Sequence, residues 1–116
     1  MEHKHLLIQS TFTKSPFTSE RFTNNWIKKL VKLIDMELLY APKSVRCNNA
    51  DNEGISAFCL ITTSHICLHS WDMKSPNLIQ LDVYSCKDFD LQIVLDEIKK
   101  FNPIELNYKF LDRNNF

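Results

Sequence analysis

Apolar and polar positions along the chain alternate between a strand period and a helix period. In HKHLLIQSTF the trio Leu6, Leu7 and Ile8, closed by the turn-like Lys14-Ser15-Pro16, predicts a first strand. From Thr18 a helical period takes over. Phe22, Trp26, Leu30, Leu33 and Ile34 fall on one stripe, Glu20, Asn24, Lys28 and Lys32 lie largely off it, and Thr18 or Ser19 can cap its start. In ELLYAPKSVRC, Pro42 cannot donate to a ladder, so this segment is an edge strand or is interrupted. The polar run 48–54 is a loop. ISAFCLI, HICLHSW and LIQLDVYSC, each rich in β-formers and separated by short breaks, predict an antiparallel meander. DFDLQIVLDEIKKF returns to the helical period, with Asp88 or Asp90 as cap, Leu91, Val94, Leu95 and Ile98 inward, and Asn102-Pro103 as stop. In IELNYKFL, the alternation of Ile104, Leu106, Tyr108 and Phe110 fits a half-buried final strand.

The order strand, helix, several strands, helix, strand predicts an α+β fold, a two-layer α/β sandwich with an antiparallel sheet and both helices on one face. The other sheet face is then either solvated or packed against another copy. With 116 residues, 44% hydrophobic and 24% charged, and no second composition regime or internal repeat, residues 1–116 read as one domain. Fourteen basic residues balance fourteen acidic ones, which speaks against nucleic acid as a partner and permits self-association. No stretch approaches the roughly 18 to 20 apolar residues that span a bilayer. The start, MEHKHLLIQS, lacks the sections of a signal peptide, so the expected location is the cytoplasm. Cys47, Cys59, Cys67 and Cys86 show no CxxC spacing and read as free thiols. The single glycine, Gly54, excludes the glycine-rich loops that cradle phosphates.

The densest chemistry lies between Ser56 and Cys86. His65, Cys67 and His69 alternate along one strand and share a face, but strand rise sets the two histidines about 13 Å apart, whereas zinc ligands sit about 2 Å from the ion. No metal is expected. If Thr62 and Thr63 form a hairpin tip, Ser56 stands opposite His69, with β-carbons roughly 5 Å apart. The same count puts Ser64 on the other parity, so it must lie in the turn or at a bulge to meet them. Thr-Thr is a poor tip, since favoured hairpin turns want Asn or Gly.

The segment GISAFCLITTSHICLHSWD, followed by LDVYSCK, resembles the small prokaryotic form of S-adenosylmethionine decarboxylase. Gly54 and Ser56, Ser64-His65, Leu68-His69-Ser70-Trp71 and Asp82-Val83-Tyr84-Ser85-Cys86 carry the match, with a fainter echo at His5-Leu6. The resemblance implies a self-processing, homodimeric enzyme that makes a pyruvoyl cofactor from Ser64 and decarboxylates S-adenosylmethionine for spermidine synthesis. It implies cleavage between Thr63 and Ser64, with the Ser64 hydroxyl attacking the Thr63 carbonyl and Ser56 stabilising the oxyanion. His69 would remove the α-proton, and Cys86 would return a proton to the substrate carbon. His65, Trp71 and Asp72 are the candidate substrate contacts.

The substrate-binding part of the pattern departs from the family. Asp72 and Met73 follow Trp71, so the carboxylate expected for the ribose hydroxyls is lost or moved by one position, which in a strand means the other face. Ala50 stands where an adenine-stacking aromatic is expected, and β-branched Thr63 replaces the glutamate before the nucleophile. An amino acid such as arginine or ornithine, which needs no adenosine pocket, and a non-catalytic homologue that binds or regulates are the alternatives. Other residues have structural readings. Cys59, Cys67 and Trp26 are expected in the core, His3 and His5 as ordinary strand or terminal residues, and Asp96, Glu97, Lys99 and Lys100 on a solvated face.

Overall fold

A computed structural model describes residues 1–115. The elements run β1 (Lys4–Phe12), α1 (Glu20–Leu33), β2 (Leu38–Cys47), β3 (Gly54–Ile61), β4 (Ser64–Trp71), β5 (Asn77–Ser85), α2 (Leu91–Lys99) and β6 (Glu105–Asp112), followed by a 3-10 turn at Arg113–Asn115. Six antiparallel strands form one sheet in the order β2-β3-β4-β5-β1-β6. The two helices lie on one face, giving the α+β sandwich that the pattern predicts.

Strand alternation decides what each face carries. Leu6, Ile8 and Phe12 of β1, Ala57, Cys59 and Ile61 of β3, Ile66 and Leu68 of β4 and Ile79, Leu81 and Val83 of β5 point to the helices and are buried. Trp26, Ile27, Leu30 and Val31 of α1 and Val94, Leu95 and Ile98 of α2 close this core. Full burial of such side chains contributes about 1.5–3 kcal/mol each before chain entropy opposes it. The opposite residues, His65, Cys67, His69 and Trp71 of β4 among them, line a face that no helix covers among the described residues.

Ser19 rather than Thr18 caps helix α1, its hydroxyl accepting from the Phe22 amide at 3.1 Å. Its buried stripe is turned slightly from the predicted one: Phe22 and Leu33 are partly exposed, while Ile27 and Val31 are buried in their place. Asp90 caps α2. Pro42 lies in edge strand β2, where the register against β3 shifts between Leu38 and Lys43, as a residue without an amide donor requires. In β6, Leu106 and Phe110 pack on the core, but Tyr108 and Ile104 are largely exposed, since β6 is the other edge and Ile104 precedes it.

Two expectations are corrected here. Glu97 is buried, not on a solvated face: it sits between Lys29, at 3.1 Å, and Lys100, which together neutralise it. Burial pushes its carboxyl up, yet the hydrogen bonds and charges of Lys100 and Lys29 outweigh this and hold it below the usual carboxylate range. Cys67 is not in the core, because its odd parity turns it to the open face, whereas Cys59 is fully buried and its thiol is pushed up to about 11 by burial.

Candidate active site

The β3–β4 hairpin turns at Thr62-Thr63, and its register pairs Ile61 with Ser64 and Ser56 with His69. A Thr-Thr tip is tolerated because neighbours hold it from outside. The Thr62 amide donates to the Glu37 carbonyl at 2.9 Å, and the Ser85 hydroxyl donates to Thr63 Oγ1 at 3.0 Å. The Cys86 amide donates to the Thr63 carbonyl oxygen at 2.8 Å. Ser64, which follows, has a φ of +146°. Such a backbone is nearly confined to glycine and costs a non-glycine residue on the order of 1–3 kcal/mol, strain that surrounding structure must sustain.

At the other end of the hairpin Ser56 Oγ lies 2.9 Å from His69 Nδ1. The second ring nitrogen of His69 has Cys67 Sγ at 3.9 Å, a long and weak contact. Burial first, and then the charge of Asp82, push the Cys67 thiol up, so this sulfur stays protonated beside the ring. Trp71 stacks on His69 with ring centroids 5.9 Å apart and is itself held by its indole donating to Asn52 at 2.8 Å. A cleft of about 290 Å³ opens beside the pair, bordered by Asn52, Gly54, Ser56, His69 and Trp71.

Gly54 is required by a close approach. A Cβ there would lie 1.9 Å from the Ser70 carbonyl oxygen, so no side chain fits without moving β4.

The candidate residues therefore form two groups. Thr63, Ser64 and Cys86 meet at the hairpin tip, and Ser56, His69 and Trp71 meet near its base. Ser64 and His69 are five residues apart along β4, about 16 Å at strand rise, and of opposite parity. No hydrogen bond of a single chain spans that distance. Asp72 belongs to neither group, because both of its carboxylate oxygens accept from Arg46, each at 2.8 Å. Its side chain is nearly covered, and the same pairing raises the Arg46 guanidinium above its ordinary value.

Sequence reasoning missed the Cys86 amide, the Arg46 partner of Asp72 and the place of His5. His5 Nε2 lies 2.7 Å from Asp82 Oδ2, and His65 Nε2 lies 3.6 Å from the same oxygen, on the open face. Backbone donors carry no residue signature, and Arg46 and Asp72 are 26 positions apart, so only the strand register reveals these meetings.

A sequence model described as S-adenosylmethionine decarboxylase matches residues 4–114. A curated protein of Caldivirga maquilingensis named "Arginine decarboxylase proenzyme" is 27% identical over 99 residues, which is 82% of this chain and 70% of that protein. The crystal structure of the adenosylmethionine decarboxylase from Aquifex aeolicus superposes with a TM-score of 0.75 at 18% identity. The match covers 96% of this chain and 89% of that one. At that identity the superposition establishes the shared fold.

Proposed function

The chain belongs to the S-adenosylmethionine decarboxylase family of pyruvoyl-dependent decarboxylases, and from that premise we propose a proenzyme that cuts itself between Thr63 and Ser64. The mature form would decarboxylate an amino acid of the arginine class. The observation that carries the first part is the 2.8 Å bond from the Cys86 amide to the Thr63 carbonyl, beside a serine at φ +146°. A carbonyl already accepting a backbone donor is polarised for attack, and the same donor stabilises the oxyanion that attack creates.

In this reading the Ser64 hydroxyl adds to the Thr63 carbonyl carbon, the carbon–nitrogen bond breaks, and an ester replaces the amide while Ser64 gains a free amine. Strain at Ser64 is released as that bond opens. Removal of the Ser64 α-proton by an imidazole then expels the Thr63 carboxylate and leaves dehydroalanine, from which water displaces the nitrogen as ammonia. A pyruvoyl group at residue 64 supplies a ketone electron sink for loss of carbon dioxide from an amino acid. Cys86, next to the tip, returns a proton to the carbon that has lost carbon dioxide.

His69 stands five residues from Ser64 along β4, about 16 Å of strand, and faces the other way, which favours a homodimer in which each tip receives Ser56 and His69 of a second copy. The open sheet face suits such a union, since Tyr40, Val45, Phe58 and Leu60 lie exposed upon it. Within the second copy, Ser56 fixes the ring through Nδ1 and adds a hydroxyl donor to the oxyanion. For the substrate, the engagement of Asp72 by Arg46, together with Met73 and Ala50 at the positions noted above, argues against an adenosine pocket. The relative named an arginine decarboxylase points the same way.

An intact-mass spectrum of the purified protein tests the processing step. The expected result is two fragments, one ending at Thr63 and one beginning at residue 64 with the serine nitrogen lost, and a single uncut mass for Ser64→Ala. A persistently whole chain would overturn this reading in favour of a non-catalytic homologue. Carbon dioxide release from arginine but not from S-adenosylmethionine tests the substrate, and the reverse preference would overturn that part alone.

A further inference from the structure

We propose that His5, His65 and Asp82 form a binding site for one divalent transition-metal ion of the zinc type. The three come from β1, β4 and β5, adjacent strands of the open face, and their ligand atoms all lie within 4.8 Å of one another. The register explains the convergence. Tyr84 is the strand partner of both His5 and His65, and Asp82, two residues before it on the same face, reaches between the two rings. In a tetrahedral complex with bonds of about 2.1 Å, ligand atoms stand about 3.4 Å apart. The His65–Asp82 separation of 3.6 Å is already close to this, and the His5–Asp82 separation of 2.7 Å needs an opening of less than an ångström. His5 and Asp82 are mostly covered and His65 is half-exposed, so the trio is held from the sheet side and leaves coordination positions open outward. Two imidazoles and one carboxylate suit zinc, cobalt or nickel rather than magnesium or calcium, which prefer oxygen alone. Tyr84 packs against both rings, at 5.3 and 5.6 Å between centroids, and limits their rotation. The metal excluded along β4 alone is thus offered by residues drawn from three strands.

This site does not depend on self-cleavage, so the test uses full-length Ser64→Ala protein, in which the backbone stays whole. Zinc titration by calorimetry should give one ion per chain, and cobalt should give the visible absorption of a low-coordinate nitrogen and oxygen site. His5→Gln and Asp82→Asn should each weaken zinc binding at least tenfold, with circular dichroism verifying that the variants remain folded. His69→Gln, on the same face but outside the trio, should bind as the parent does. Zinc should raise the melting temperature of the parent and not of His5→Gln. Absence of stoichiometric binding in the parent, or binding unchanged in the folded His5→Gln and Asp82→Asn proteins, would overturn the proposal. So would loss of binding in His69→Gln alone.

Discussion

Ser56 and His69 face each other across β3 and β4 as direct strand partners, and their side chains meet at 2.9 Å. The contact fixes one ring nitrogen of His69 and leaves the other available for proton transfer. Ser56→Ala should therefore slow self-cleavage about 10- to 100-fold, and His69→Ala by about 100-fold or more, without loss of fold. Densitometry of the uncut band over time measures both, and equal rates for Ser56→Ala and the parent would remove Ser56 from the mechanism.

A shared site makes a sharper prediction. Ser64→Ala and His69→Ala proteins should each remain whole when produced separately. Produced together, they should form mixed dimers in which the His69→Ala chain, which keeps Ser64, is cut by the His69 of its neighbour. Tagged chains of different mass would reveal which one is cleaved, and no cleavage in purified mixed dimers would show that the imidazole acts within its own chain.

Gly54→Ala should destabilise the protein by about 1–3 kcal/mol or more, because the added methyl overlaps the Ser70 carbonyl and the sheet must part to admit it. The same shift would displace Ser56 from His69, so cleavage should slow even where the variant still folds. Denaturant unfolding and the cleavage assay read the two effects separately.

Glu97 gives a pH dependence with a definite sign. Its folded-state carboxyl lies below the usual value of 4.5, so it binds its proton less readily in the folded chain than in the unfolded one. The stability it contributes is fully present above that value and is lost as pH falls from there through the lower folded value. Glu97→Gln should flatten this part of the stability curve. Urea midpoints measured from pH 6 down to pH 3 would test it, and parallel curves for both proteins would remove Glu97 as the source.

The sheet and both helices are legible in the sequence because period 2 and period 3.6 segments are separated by clear turn residues. The pairing of Ser56 with His69 follows from counting outward from Thr62-Thr63. What counting leaves undetermined is what lies across from a strand's far side. Glu97 reads as a surface charge until Lys29 of the other helix is set beside it, and Asp72 reads as a free carboxylate until the edge strand brings Arg46 to it. His5 reads as an ordinary terminal residue because its partner is 77 positions away. Cys67 reads as a core residue by its type, whereas parity turns it outward.

The strand order has a consequence for a chain severed at the hairpin tip. Strands β1, β2 and β3 precede residue 64 and β4, β5 and β6 follow it, yet β1 is hydrogen-bonded between β5 and β6. The two pieces are thus woven through one another like interlaced fingers, and neither can leave without tearing three ladders, β3 with β4 and β1 with both β5 and β6. A nick there would loosen one loop and leave the fabric whole, so the severed molecule should melt as a single unit.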